Sequence, residues 1–151
     1  MDNIQKIIYT AVVLDGTENI LFSSEKRMAK EYVNSFLHHV TVQFGFQSTE
    51  LPDYIGEYVE FSIADLRKDS SAMSFHGRFS CCSSGKAFTT LKAIVAHPHI
   101  TIATAEGVKP VYAGTMPEAV IITTFQNREV HGRIGAFCVF ADGTTGWVFE
   151  K

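Results

Sequence analysis

The chain has 151 residues, of which 46% are hydrophobic and 12% aromatic, and it carries a net charge of −3. That length fits a single domain over residues 1–151 with a core of its own, and that composition excludes a disordered chain. The acidic balance provides no cationic footprint for long nucleic acid, whose binding rests on many Lys and Arg contacts to phosphate. A small anion held by a few groups stays open.

Three cysteines, Cys81, Cys82 and Cys138, form neither a disulfide framework nor a C-x-x-C knuckle. They read as buried or half-buried thiols of a reducing compartment. The N-terminal residues lack the basic and apolar regions of a signal peptide, and no apolar run reaches the roughly 18–20 residues that a bilayer requires. The expectation is a soluble cytoplasmic protein (host cytoplasm, if viral) with no membrane partner.

Residues 7–14 form a nearly continuous apolar run, a central strand covered on both faces, closed by the turn signal Asp15-Gly16-Thr17. After the apolar patch Ile20-Leu21-Phe22, Ser23, Ser24 and Glu25 supply an N-cap and a first-turn acid. Met28, Tyr32, Val33 and Phe36 then follow helical spacing, so an amphipathic helix is expected to run up to His38. Residues 38–44 are the next strand, with His38 facing away from His39. Val59, Phe61 and Ile63 alternate with Glu60 and Ser62 in a half-buried strand. Met73, Phe75, Phe79 and Cys81 alternate with His76, Arg78 and Ser80 in an antiparallel neighbour. Residues 83–86 read as a loop, and a second helix is expected around 89–96.

Pro98 biases His97 toward extended backbone, so the following strand begins near His99 and leads into a Gly- and Pro-punctuated loop over residues 105–110. Residues 119–124 and 129–140 read as two strands, a hairpin around Gln126-Asn127-Arg128. Asp142-Gly143 is a turn before a short terminal strand at 147–149. About seven strands with one or two helices make a mixed α+β class with mostly antiparallel sheet.

One pattern occurs twice: His39-Val40-Thr41-Val42 and His99-Ile100-Thr101-Ile102. In a strand, residues i and i+2 share a face. Each copy therefore points an imidazole and a hydroxyl one way and two aliphatics the other. Cleaving a phosphodiester needs a base for the attacking oxygen, an acid for the leaving oxygen and donors for the non-bridging oxygens. Imidazole, with an ordinary pKa of about 6.5, suits both proton transfers. Thr hydroxyls donate without adding negative charge. Two such strands facing one phosphorus would provide the in-line geometry.

These motifs resemble those of the 2H phosphoesterase superfamily, the LigT-like cyclic phosphodiesterases. The stretch His99-Ile100-Thr101-Ile102-Ala103-Thr104-Ala105 with the loop Gly107-Val108-Lys109-Pro110-Val111 is similar to the phosphodiesterase domain of fungal-type tRNA ligases. The resemblance spans most of the chain in outline and about twenty residues in detail. It implies a bilobal fold in which two antiparallel sheets flank a central cleft, each supplying one H-x-T. It also implies cofactor-free, metal-independent cleavage of a 2′,3′-cyclic phosphate, a 2′,5′ linkage, an RNA 3′ end or a cyclic oligonucleotide signal. Phage enzymes that destroy host immune cyclic nucleotides are among such proteins. By the resemblance His39 is the acid and His99 the base. Two departures stand out: the sixty-residue separation is short, suggesting trimmed lobes and an open cleft, and Pro98 interrupts the second run.

The candidate catalytic set is His39, Thr41, His99 and Thr101. Lys109, on the loop, is a candidate phosphate contact, against the plainer reading of a solvated lysine. Tyr9 and Tyr112 are candidates to stack on a base, against core packing. His97 is expected to be exposed or behind His99. His76 and His131 could approach as a metal pair, but no carboxylate or thiolate sits at ligand spacing. Trp147 and Phe149 read as a lid on the core, and Arg78 and Arg133 as solvated. The alternatives to an enzyme are a protein that sequesters a nucleotide in the same cleft, and a β-rich interaction module with incidental histidines.

Overall fold

The structure, a computed structural model, describes residues 3–15, 23–36, 38–117 and 119–151. The expected apolar patch at Ile20-Leu21-Phe22 and most of the turn after Asp15 lie outside them. The strands are β1 (Ile4–Leu14), β2 (Asn34–Ser35), β3 (His39–Phe44), β4 (Tyr58–Lys68), β5 (Ala72–Cys82), β6 (His99–Thr104), β7 (Val120–Phe140) and β8 (Thr145–Val148). Helices α1 (Ser23–Ala29) and α2 (Gly85–Ile94) and a 3-10 helix (Pro110–Gly114) complete the described elements. The fold is sheet-rich α+β, as the alternation predicts.

All eight strands belong to one antiparallel sheet, in the order β1-β3-β6-β5-β4-β7, and β7 pairs back onto β1 to close a six-stranded barrel. Closure removes the edges that an open sheet of this size would expose. One edge of β7 carries β4 and then β8, while the other carries β1. Strand alternation sends Val12, Val40, Phe61, Leu66, Phe75, Ile100 and Ile134 inward, where each is fully buried. Ala11 and Val12 are both wholly buried, so β1 is covered on both sides as expected. Helix α2 covers part of the barrel with Ala87 and Leu91; the Ser84 hydroxyl caps it by accepting the Ala87 amide at 3.2 Å.

Several elements depart from the sequence reading, each for a physical reason. The first helix stops at Ala29, because residues 34 and 35 hydrogen-bond as a strand to Thr104 and Ala103. Val33, expected on its apolar face, is 72% exposed. Residues 83–86 are not simply a loop: Ser84 is a cap and Gly85 opens α2. The hairpin expected around residue 127 is absent, since β7 runs unbroken for 21 residues. Arg128 shows why. Its guanidinium makes two bonds to Glu25, at 2.9 and 3.0 Å, and lies over the rings of Phe75 and Phe125. Arg128 there anchors α1 to the barrel instead of taking part in a turn. Cys81 is exposed rather than buried, and Arg133 is half-buried, donating to the Gly56 carbonyl at 3.0 Å.

Glu25 is only 3% exposed, so this ion pair is buried and removing one member of it is costly. Glu25→Ala should destabilise the fold by about 3–5 kcal/mol, and Glu25→Leu with Arg128→Met by much less. Urea unfolding of the two variants checks the difference. Among the described residues no helix is long and apolar enough to cross a membrane.

Candidate functional site

The two H-x-T strands are hydrogen-bonded neighbours. β3 and β6 run antiparallel with Val40 opposite Ile100, and both of these side chains point into the core. That register sets His39 against Thr101 and Thr41 against His99, all four on the outer face. The arrangement has a local two-fold axis through the Val40–Ile100 pair. On such a ladder the two histidines are diagonal neighbours, about 7–8 Å apart at the backbone. A single cleft of about 670 Å³ receives all four residues, together with Tyr9, Lys109, His38 and His97.

Each imidazole has a distinct setting. The His99 Nδ1 lies 2.9 Å from the His97 carbonyl oxygen, to which it donates when protonated. The Pro110 carbonyl also favours the protonated ring, and it accepts the Thr101 hydroxyl at 3.3 Å. Burial nonetheless leaves the His99 pKa below its ordinary value. The His39 ring packs 5.5 Å from Tyr9 and 6.4 Å from Trp147, and its Nδ1 contacts the Nδ1 of His38. Burial first, then the charges of His38 and His99, push its pKa down to about 4. The charge of His99 is among the causes that lower the His39 pKa, which places the two rings within electrostatic reach of each other.

The strand before His39 does not alternate as expected. His38 lies outside the ladder and lines the same cleft as His39, with ring centres 4.2 Å apart. Phe44 also escaped sequence reasoning. Strict alternation gives it the parity of Val40 and Val42, but Val42 is the extra residue of a β-bulge opposite Thr10 and Ala11. The bulge returns Phe44 to the outer face, 56% exposed, in the cleft wall against Tyr9 at 5.4 Å. No sequence signal marks a bulge of this kind.

Of the other candidates, Tyr9 and Lys109 line the cleft. Lys109 is the one Lys or Arg among the described residues that do so. Tyr112 does not; its hydroxyl donates to Asp69 at 2.5 Å and its ring packs by Ala113 and Met116. His97 is exposed at the rim, and it is its backbone carbonyl that meets His99. His76 is buried beside His99, whereas His131 is exposed near Glu60, 3.7 Å away, so they form no pair. Among the described residues no cluster of three or more His, Cys, Asp or Glu has metal-holding geometry. Trp147 joins Tyr9, Phe137 and Phe149 in an aromatic cluster that backs the cleft.

Two imidazoles and two hydroxyls on one face, in a largely apolar cleft with one lysine at its rim, can hold a singly charged phosphodiester and move protons on both sides of it. No protein-family model, curated protein or solved structure matches this chain.

Proposed function

We propose that the protein is a phosphodiesterase of the 2H type, which cleaves a small nucleotide phosphodiester by His/His acid–base catalysis without a metal. The observation that carries this is the antiparallel pairing of Val40 with Ile100, which turns His39, Thr41, His99 and Thr101 onto one face of one cleft. The expected pair of sheets flanking a central cleft is not what supports the reading: both H-x-T strands are neighbours in one sheet that closes into a barrel, related by a local two-fold axis.

The substrate is a 2′,3′-cyclic phosphate or a cyclic oligonucleotide. A cleft of this size takes a mononucleotide unit, and its apolar wall suits a base or sugar better than a run of phosphates. Electrostatics favour a division of labour opposite to the one the resemblance implies. Burial opposes the protonated form of both rings, and so does a neighbouring imidazole in each case, but two backbone carbonyls partly offset this at His99 and none among the described residues does so at His39. His39 is therefore the base that takes the proton of the attacking water. His99 is the acid that protonates the departing oxygen once the phosphate's charge has raised its pKa. Thr41 and Thr101 donate to the non-bridging oxygens, Thr101 by turning its hydroxyl away from Pro110.

Incubation with 2′,3′-cyclic mononucleotides, 2′,5′ dinucleotides and cyclic di- and trinucleotides, in EDTA, tests the reading. Opened product is expected from at least one class. If a nucleotide binds and is recovered intact after denaturation, the cleft sequesters instead of cleaving. The absence of any thermal shift with every nucleotide favours the interaction module.

A further inference from the structure

β6 has a second neighbour, β5, and its register is as informative as that with β3. His76 lies directly opposite His99, so the two rings share the outer face of the sheet. They stack with centroids 5.7 Å apart and planes 28° from parallel. The Gly77 amide bonds the Pro98 carbonyl at 3.2 Å, which locks this register at the very edge of the catalytic motif. His76 is 7% exposed, and its Nε2 has no hydrogen-bond partner. A hydrogen bond from that nitrogen therefore does not account for an imidazole here. The ring hydrogen-bonds the Ala113 backbone on the 3-10 helix, and toward His99 it presents a flat wall.

A second contact with the His99 ring comes from the 3-10 helix. A methyl group built on Gly114 would lie 2.8 Å from His99 Cε1, closer than real carbon contacts come, and 3.1 Å from Nδ1. Gly114 backbone thus lies close to the Cε1 end of the ring, next to the nitrogen that meets the His97 carbonyl. Its φ is not positive, so conformational freedom does not require glycine there. Close approach does.

We propose that His76 and Gly114 are positioning residues, two jaws of a clamp that holds the His99 imidazole in its catalytic orientation. The clamp's function rests on the phosphodiesterase reading, but its geometry does not. A side chain held by close packing against two neighbours loses little entropy when the transition state forms, which is how a supporting shell contributes to rate. Among the described residues, His39, set among Tyr9, Trp147 and the exposed His38, has no counterpart to the glycine jaw.

The test combines turnover with ring ¹H–¹⁵N NMR on histidine-labelled protein. Gly114→Ala and His76→Ala should each lower kcat at least tenfold with KM changed less than threefold. Each should also shift or broaden the His99 Nδ1–H signal. His76→Phe, which restores a flat wall, should recover most of kcat. Gly85→Ala, whose methyl meets open space, is the control. The clamp is overturned if Gly114→Ala and His76→Ala leave the His99 signal unchanged, whatever their kcat, or if His76→Phe is as impaired as His76→Ala. Should Gly114→Ala fail to fold, the two His76 variants decide. If the wild type cleaves no nucleotide, the phosphodiesterase reading fails, and the His99 signal in the same variants still decides the clamp.

Discussion

Replacing His39 or His99 with alanine should lower turnover about 10²–10⁴-fold in each case, with little change in KM. In the proposed mechanism each variant removes one proton-transfer partner and leaves Thr41, Thr101 and Lys109 to hold the phosphate. The two losses should not add. With either imidazole gone the concerted transfer is already lost, so the double variant should be only slightly slower than the worse single one. A structural effect is separable, because His39 packs against Tyr9 and Trp147 and His99 against His76. His→Gln keeps much of that volume and should be as inactive as His→Ala, with a melting temperature near that of the wild type. The two variants should also differ in pH dependence. Without His39 the acidic limb of kcat/KM should vanish, and without His99 the basic limb. Activity that dies with EDTA and survives both substitutions would sink the mechanism.

How much of this was legible in the residues follows from which interactions are local. The parity of H-x-T is a property of two residues on one strand, so the common orientation of His39 with Thr41, and of His99 with Thr101, could be read directly. The burial of Val40, Val42, Ile100 and Ile102 on the opposite side followed from it. That β3 and β6 would be adjacent in one barrel could not be read, because pairing between residues sixty apart leaves no periodic trace. The length of α1 was overread for a related reason: Tyr32 and Val33 have helical spacing, but Tyr32 donates its hydroxyl to the Asp69 carbonyl at 2.6 Å. That contact lies across the fold. Arg128 resembled part of a turn only because its partner Glu25 is 103 residues away. Phe44 and His76 reach the site by backbone irregularity and cross-strand register. Neither is encoded in a local pattern.

The site that makes acid–base chemistry available should also make the fold acid-labile. His39 and His76 have pKa values pushed down to about 4, chiefly by burial, and burial lowers those of His38 and His99 as well. An unfolded histidine titrates near 6.5. Between these values the unfolded chain binds protons that the folded one refuses, so stability rises with pH across this window. It is fully present above about pH 6.5 and falls progressively toward pH 4. The linkage gives a loss on the order of 2 kcal/mol at pH 5 for each of His39 and His76. The carboxylates with lowered pKa, Asp53 and Asp142, titrate below their ordinary 3.8 and so lie outside this window. Urea midpoints at pH 7.5 and pH 5 should therefore differ by an amount equivalent to several kcal/mol. His76→Phe should remove about 2 kcal/mol of the difference, since it deletes one buried imidazole and keeps its packing. A bound phosphodiester, by favouring protonated His39 and His99, should shift the loss to lower pH. Equal midpoints at the two pH values would mean that these imidazoles are as free to take up protons in the folded protein as in water. The cleft could not then hold a neutral base beside an acid in the way the mechanism requires.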